Sequence, residues 1–519
     1  MTASPLLRSV STSPQLASGF SLVLPIGRVQ AMVDSTQSLV FNGVNGATGE
    51  YLLPPLTTAQ VAQFALGERL TDQHQKDLKV RQFLQNEPTF RMVDDRDPKD
   101  LGQAGWGVIF ARDAKPEVRN ALAELLDHRR SVASASDERR YREYTGDDGH
   151  RPGESAHDFL ARFGVGPGPA KPDKLPYYVL IVGDPETIPF RFQYELDVQR
   201  AVGRLHFDTV EEYAQYAHSV VVAETSVTHP RRAVFFGVHN DDDPATELSA
   251  TQLVAPLAHF LREDQTEWTV DAMVGAGQAT KERLGSLLGG DGTPALLFTA
   301  SHGIGFPIDD PRLLSEQGAL ICQDWPGPEQ HKGAMSRDHY LAADDIGSDA
   351  QLLGMIGFHF ACYGAGTPRL DDFAHHAFQE AAPLAPHAFV AALPRRLLGH
   401  PKGGALAIVG HVERAWGCSF DWQGAGPQRE VFESTFKQLM EGMPVGAAME
   451  FFNGRYAEIS VILTGELDAI KRDNLIPNDV KLARLWIANN DARGYAIIGD
   501  PAVRLSVGDA KIGVGTIGG

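Results

Sequence analysis

Short, uninterrupted apolar runs alternate with helix-like segments along most of this chain, and that alternation constrains its fold more than any other feature. Residues 105–111 (GWGVIFA), 177–183 (YYVLIVG), 233–238 (AVFFGV), 294–303 (PALLFTASHG), 355–364 (MIGFHFACYG) and 403–410 (GGALAIVG) have the length and composition of strands buried on both faces. Between them lie helical patterns at 116–130, 209–224, 249–263 and 280–290, and a further strand pattern at 268–275. Strands separated by helices predict an α/β fold whose sheets are mostly parallel and flanked by helices. The predicted helix at 116–130 begins with proline and ends in basic residues, as helix termini favour.

The chain has 519 residues, too many for one core. The pattern divides it into an N-terminal extension (1–85), a first α/β unit (86–228), a second α/β unit (229–510) and a short tail (511–519). In the extension, residues 20–33 read as strand-like and 57–84 as helical. The charged, glycine-containing stretch at 134–158 reads as an exposed loop with little to bury.

Charge narrows the partners. Lys and Arg total 47 against 66 Asp and Glu, a formal charge of -19. Such a surface repels phosphate backbones, so neither nucleic acid nor an anionic membrane is an expected partner. The three cysteines, Cys322, Cys362 and Cys418, do not make a disulfide framework and point to a reducing compartment. No run approaches the roughly 20 apolar residues of a membrane span, and the N-terminal segment makes a poor signal peptide. The expected location is the cytoplasm.

In open parallel sheets, ligands gather at the carboxyl ends of the strands. Two strands here end in reactive side chains: 294–301 delivers His302-Gly303, and 355–361 delivers Cys362. If these strands are neighbours, imidazole and thiol converge. A free thiol, with a pKa near ~8.5, is mostly protonated at neutral pH, and a nearby imidazole can take its proton and later hand one to a leaving amine. The backbone amides of Gly303 and Cys362 are the natural donors for an oxyanion.

LLFTASHG and IGFHFACYGAG together resemble the signature pair of the clan CD cysteine peptidases, a group that includes caspases, gingipains and CHAT proteins. YYVLIVGDPETIPFRF, AVGRL, GGALAIVGHVERAW and YAIIGDPAVRL resemble the gingipain-like branch. The resemblance implies two caspase-like subdomains, the first pseudo-active, and a cysteine endopeptidase that needs no cofactor and no metal. Cys362 would be the nucleophile and His302 the general acid and base. By position, Glu186 or Asp184 would orient His302. Asp197 would be the acid of a pocket whose aromatic wall is Trp416, which implies cleavage after Arg or Lys. Cleavage after Asp would instead use Arg414. The implied partners are protein substrates and an upstream activating protease, in a bacterial defence or cell-death cascade. As a zymogen the chain would be cut, by itself or by an upstream protease, near Arg129, Arg130, Arg139 and Arg140, or within residues 306–345, a stretch able to cover the site.

Other readings compete. Cys418 and Cys322 lack the strand-exit setting. His359, His375 and His376 lie near Cys362 without zinc-ligand spacing, and His359 reads as a core histidine. The Asp-rich pieces at 241–244 and 341–349 lack the EF-hand pattern and read as solvated turns. The alternatives from other classes are a non-catalytic scaffold on the same fold and a thiol amidase acting on a small molecule.

Overall fold

The computed structural model describes residues 38–39, 42–52, 56–58, 61–62, 65, 96–226, 229–240, 242–275, 277–290, 292–371, 383–422, 426–473 and 478–508. The strand expected at 20–33, the tail, His375 and His376 fall outside them, as does nearly all of the helix expected at 57–84.

The expected α/β class is what the chain adopts. The described strands that matter here are β1 (Gly43–Asn45), β2 (Trp106–Phe110), β3 (Tyr141–Tyr144), β4 (Tyr178–Val182), β5 (Ala201–Leu205), β6 (Arg232–Gly237) and β7 (Thr269–Val274). They continue with β8 (Leu296–Ala300), β9 (Gly303–Gly305), β10 (Leu320–Ile321), β11 (Tyr340–Leu341), β12 (Ile356–Phe360), β13 (Ala407–His411) and β14 (Tyr495–Gly499). Ten of these form one sheet, in the order β3-β2-β4-β5-β14-β13-β12-β8-β6-β7. Every pairing is parallel except β13 with β14. The strands before residue 229, with β14, therefore run opposite to β13, β12, β8, β6 and β7. The carboxyl ends of the two sets open on opposite edges of the sheet.

The apolar runs explain the central strands. β2, β4, β8, β12 and β13 are buried along their whole length, as strands covered on both faces require. Register places Phe235, Phe298 and Phe358 side by side. Onto them α1 (Glu430–Met440) and α2 (Glu450–Asp473) lay Phe432, Phe436 and Phe452, with Phe298 and Phe436 centroids 5.1 Å apart and Phe358 and Phe452 centroids 5.7 Å apart. These edge-on and tilted aromatic contacts add to the burial of apolar area. Among the described residues no helix is long and apolar enough to cross a membrane.

The stretch expected as an exposed loop at 134–158 is one only in part, over the mostly exposed turns at 145–155. Residues 141–144 form β3, an edge strand, and residues 156–162 form a helix. Tyr141 stacks on Trp106 at 5.8 Å, while Glu143 accepts from Arg119 and Arg130. Charged side chains belong on such an edge, where they deter pairing with other chains. Nor are the four arginines at 129–140, expected in an exposed loop, all exposed. Arg129 is buried, with Nε donating to Asp500 at 2.7 Å and both terminal nitrogens donating to Glu224 at 2.7 Å, and Arg140 is buried against Asp173.

Residues 306–345 are not a loose cover either. β1, β9, β10 and β11 form a second small sheet, in which β1 runs parallel to β9 and the rest pair antiparallel. Phe306, Leu313, Ile321, Trp325, Met335 and Tyr340 fill a separate core beneath it.

Candidate active site

β8 and β12 are neighbours, paired in register from Leu296↔Ile356 to Ala300↔Phe360. The Ser301 amide extends this ladder by donating to the Phe360 carbonyl at 3.2 Å. His302 and Cys362 each stand two residues beyond the last register pair, so the sheet delivers imidazole and thiol to adjacent strand exits. Gly303 is needed where it is because a β-carbon there would lie 1.8 Å from the Cys362 carbonyl oxygen. Only a residue without a side chain lets the two exits run this close.

The imidazole is fixed by a carboxylate. His302 Nε2 lies 2.6 Å from Asp243 Oδ2, with both side chains fully buried. Asp243 also accepts from the Tyr51 hydroxyl and from Thr246 Oγ1 at 2.8 Å, and it caps the helix Pro244–Leu248. Burial alone would raise its pKa, but the His302 charge and these hydrogen bonds outweigh burial and hold it at about 2. The rings of Tyr51 and Trp325 stand edge-on to His302 at 5.6 and 5.7 Å. His302 Nδ1 has no hydrogen-bond partner among the described residues.

Cys362 is completely buried, and burial pushes its thiol up to about 12. Its Sγ accepts from the Ala415 amide at 3.3 Å. Two non-glycine residues with positive φ flank this point, Tyr363 at 58° and Glu413 at 78°, joined by a 2.6 Å bond from the Tyr363 amide to the Glu413 carbonyl. Backbone in this sparsely populated region is strained and persists only where surroundings impose it.

The Gly303 amide donates to the Asn42 carbonyl at 2.9 Å, and the Cys362 amide donates to the same oxygen at 3.1 Å. The Asn42 amide donates in turn to the Ala415 carbonyl at 3.1 Å. Beyond Asn42, β1 pairs along β9, and a β-carbon on Gly43 would lie 2.9 Å from Cys362 Sγ. Residues 42–52 thus lie across the thiol and the imidazole.

The other residues singled out from the sequence lie elsewhere or are otherwise engaged. The expectation that Glu186 or Asp184 orients His302 is corrected by Asp243. β4, which leads into Glu186, belongs to the oppositely running set of strands, so its exit and that of β8 lie on opposite edges of the sheet. Glu186 accepts from the Ala388 amide at 2.7 Å, and Asp184 from the Glu186 and Thr187 amides at 2.9 Å. Asp197 is also displaced from the expected pocket. It is half-buried, accepts from the Val202 amide at 3.1 Å, and lines a cavity of about 830 Å³ with Tyr177, Arg200, Cys418 and Trp422, of which neither Cys362 nor His302 is a lining residue. Trp416 is buried one residue past Ala415, its amide donating to Asp491 at 2.9 Å. Arg414 is clamped by Asp371 through two bonds of 3.0 and 2.7 Å and by Glu413 at 2.8 Å.

Cys322 is buried in the core, with its thiol pushed up by desolvation. His359 is buried and held neutral, its pKa lowered to about 4 by desolvation, but its ring nitrogens have no hydrogen-bond partner among the described residues. Of the two Asp-rich pieces, the first departs from the expected solvated turn at Asp243, which is buried and holds His302, while the second is exposed at Asp344, Asp345 and Asp349, with Asp345 pairing with Lys281 at 2.9 Å and Arg337 at 3.0 Å.

No protein family description matches the sequence, and no curated protein matches it. Among the solved structures similar to the chain are the following two. One is a protease, at 12% identity with a TM-score of 0.43, covering 79% of this chain and 80% of that one. The other is the complex of the pro- and mature domains of Porphyromonas gingivalis RgpB, at 13% identity with a TM-score of 0.43, covering 78% of this chain and 80% of that one.

Proposed function

We propose that the chain is a cysteine endopeptidase in which Cys362 is the nucleophile and His302 the general acid and base. Asp243 positions the imidazole through Nε2, leaving Nδ1 to handle the proton. The Gly303 and Cys362 amides stabilise the oxyanion. The observation that carries this reading is the convergence of those two amides on one carbonyl oxygen beside the thiol, at distances an oxyanion would also need.

Cleavage after Arg or Lys loses its support with Asp197, which lines another cavity. Cleavage after Asp would need an available Arg414, whose guanidinium is already neutralised by two acids. The buried thiol and the segment over it support synthesis in a latent form.

The test is labelling with peptidyl acyloxymethyl ketones, located by peptide mapping, on the wild-type chain and on Gly43→Val, whose added side chain displaces the covering segment. Modification of Cys362 that disappears in His302→Ala is the expected result. An unmodified Cys362 in both forms, with no hydrolysis of any fluorogenic peptide, would overturn the proposal.

A further inference from the structure

We infer that the Asn42–Gly43 peptide bond is the enzyme's own substrate, cleaved in cis, and that the site selects asparagine on the acyl side of the bond it cuts. This rests on the catalytic assignment above.

Three independent contacts place Asn42 as a substrate residue rather than a covering one. Its carbonyl oxygen takes both proposed oxyanion donors, at 2.9 and 3.1 Å. Its amide donates to the carbonyl of Ala415, the same residue whose amide donates to the thiol sulfur. Its side chain is enclosed, 1% exposed, and Nδ2 donates to the Ser301 carbonyl at 3.2 Å. That last contact selects chemistry. A carbonyl acceptor welcomes an amide N–H, repels the carboxylate of aspartate, and is left unpaired by an aliphatic side chain.

The residue after the bond is constrained as strongly. A β-carbon on Gly43 would meet Leu52 at 2.7 Å and Cys362 Sγ at 2.9 Å, so in this pose only glycine allows the thiol to approach. Asn-Gly thus fits both sides of the reacting carbon, and of the two Asn-Gly pairs in the segment it is Asn42-Gly43 whose carbonyl lies on the two amides, while Asn45-Gly46 lies in the hairpin beyond. The hairpin that follows, with the Asn45 amide on the Glu50 carbonyl at 2.7 Å and the Leu52 amide on the Gly43 carbonyl at 3.1 Å, holds the leaving side in place.

The step balances with water as the only co-reactant. Cys362 Sγ bonds to the Asn42 carbonyl carbon while its proton passes to His302. The C–N bond to Gly43 then breaks, and the Gly43 nitrogen takes the proton from His302 and leaves as an amine. Water, giving a proton to His302, hydrolyses the thioester to the Asn42 carboxylic acid, and His302 returns that proton to the thiolate. The products are a chain ending at Asn42, a chain beginning at Gly43, and the regenerated thiol.

The experiment incubates the purified full chain and sequences any new N-terminus, beside Cys362→Ala, His302→Ala and Asn42→Ala. A synthetic peptide spanning residues 38–47 and a fluorogenic panel with Asn, Arg, Lys, Asp or Leu before the scissile bond are supplied in trans. The expected result is a Gly43 N-terminus that forms at a rate independent of protein concentration. It should be absent from both catalytic variants and slowed at least ~10-fold in Asn42→Ala. The catalytic variants also control for spontaneous Asn-Gly breakdown, which would persist in them. A chain that stays intact, with the 38–47 peptide uncut, overturns the inference. If that chain still hydrolyses a panel peptide after another residue, the endopeptidase assignment survives and only the asparagine selection falls. If nothing is hydrolysed and Cys362 resists the ketone probe, both fall.

Discussion

Asp243 Oδ2 sits 2.6 Å from His302 Nε2, and neither side chain reaches solvent. The pair joins the exits of two neighbouring strands, β6 and β8, so the sheet itself sets the orientation of the imidazole. Substituting Asp243 by Asn keeps the shape but allows the ring its other tautomer and turns the acceptor into a possible donor. Peptide hydrolysis should fall roughly 10²- to 10⁴-fold in kcat with KM little changed. Steady-state kinetics on the folded variant checks this, and an equal loss carried by KM would argue against a positioning role.

The same carboxyl group makes stability depend on pH. Its pKa is about 2 in the folded chain against an ordinary value of 3.8. A lowered carboxyl pKa stabilises the native state above pH 3.8, and that contribution disappears as pH falls through about 2. Urea unfolding of wild type and Asp243→Asn at pH 6 and pH 3 should show a stability gap that narrows at the lower pH.

Cys362 in the uncut chain should react slowly. With its thiol near 12, the thiolate fraction at neutral pH is roughly 10³-fold below that of an ordinary exposed cysteine. Iodoacetamide should modify it correspondingly slowly, and Gly43→Val, by lifting residues 42–52 off the sulfur, should speed the reaction. Rates followed by intact mass at several pH values test both parts.

Gly303→Ala puts a β-carbon 1.8 Å from the Cys362 carbonyl oxygen. The two strand exits must then part, at a cost of about 3 kcal/mol in stability. Moving one oxyanion donor should also lower kcat by about 10²- to 10³-fold. Thermal unfolding and kinetics on the same sample measure the two effects together.

Arg129→Ala leaves Asp500 and Glu224 without their shared cation. Asp500 also accepts from the Trp106 indole at 2.9 Å, so the loss strikes the junction between β2 and the exit of β14. A loss of about 3–5 kcal/mol is expected, as for other buried pairs broken on one side. Urea denaturation reads it directly.

The strands and the His302–Cys362 pair were legible in the sequence because each is local: an apolar run announces a buried strand, and the residue after it announces what the strand delivers. Asp243 was not, although it follows the exit of β6 as an Asp-Pro helix cap. Reading it as solvated was natural without knowing that β6 lies beside β8, a fact set by strand order. Glu186 and Asp197 were placed by analogy of position, which fails once the strand before them runs the other way. β3 was hidden by its charges, which an edge strand carries outward. Asn42 carries no motif at all; its meaning comes from a parallel pairing with β9 across some of the longest sequence separations in the fold.

β14 lies between β5 and β13 and hydrogen-bonds to both. Until residues 495–499 emerge from the ribosome, the two oppositely running sets of strands have unpaired inner edges and no shared ladder. The site's strands β8 and β12 are translated well before β14, so their sheet is sealed by a segment made later. A nascent chain therefore carries both thiol and imidazole from residue 362 until residue 495 is made, without the finished framework around them.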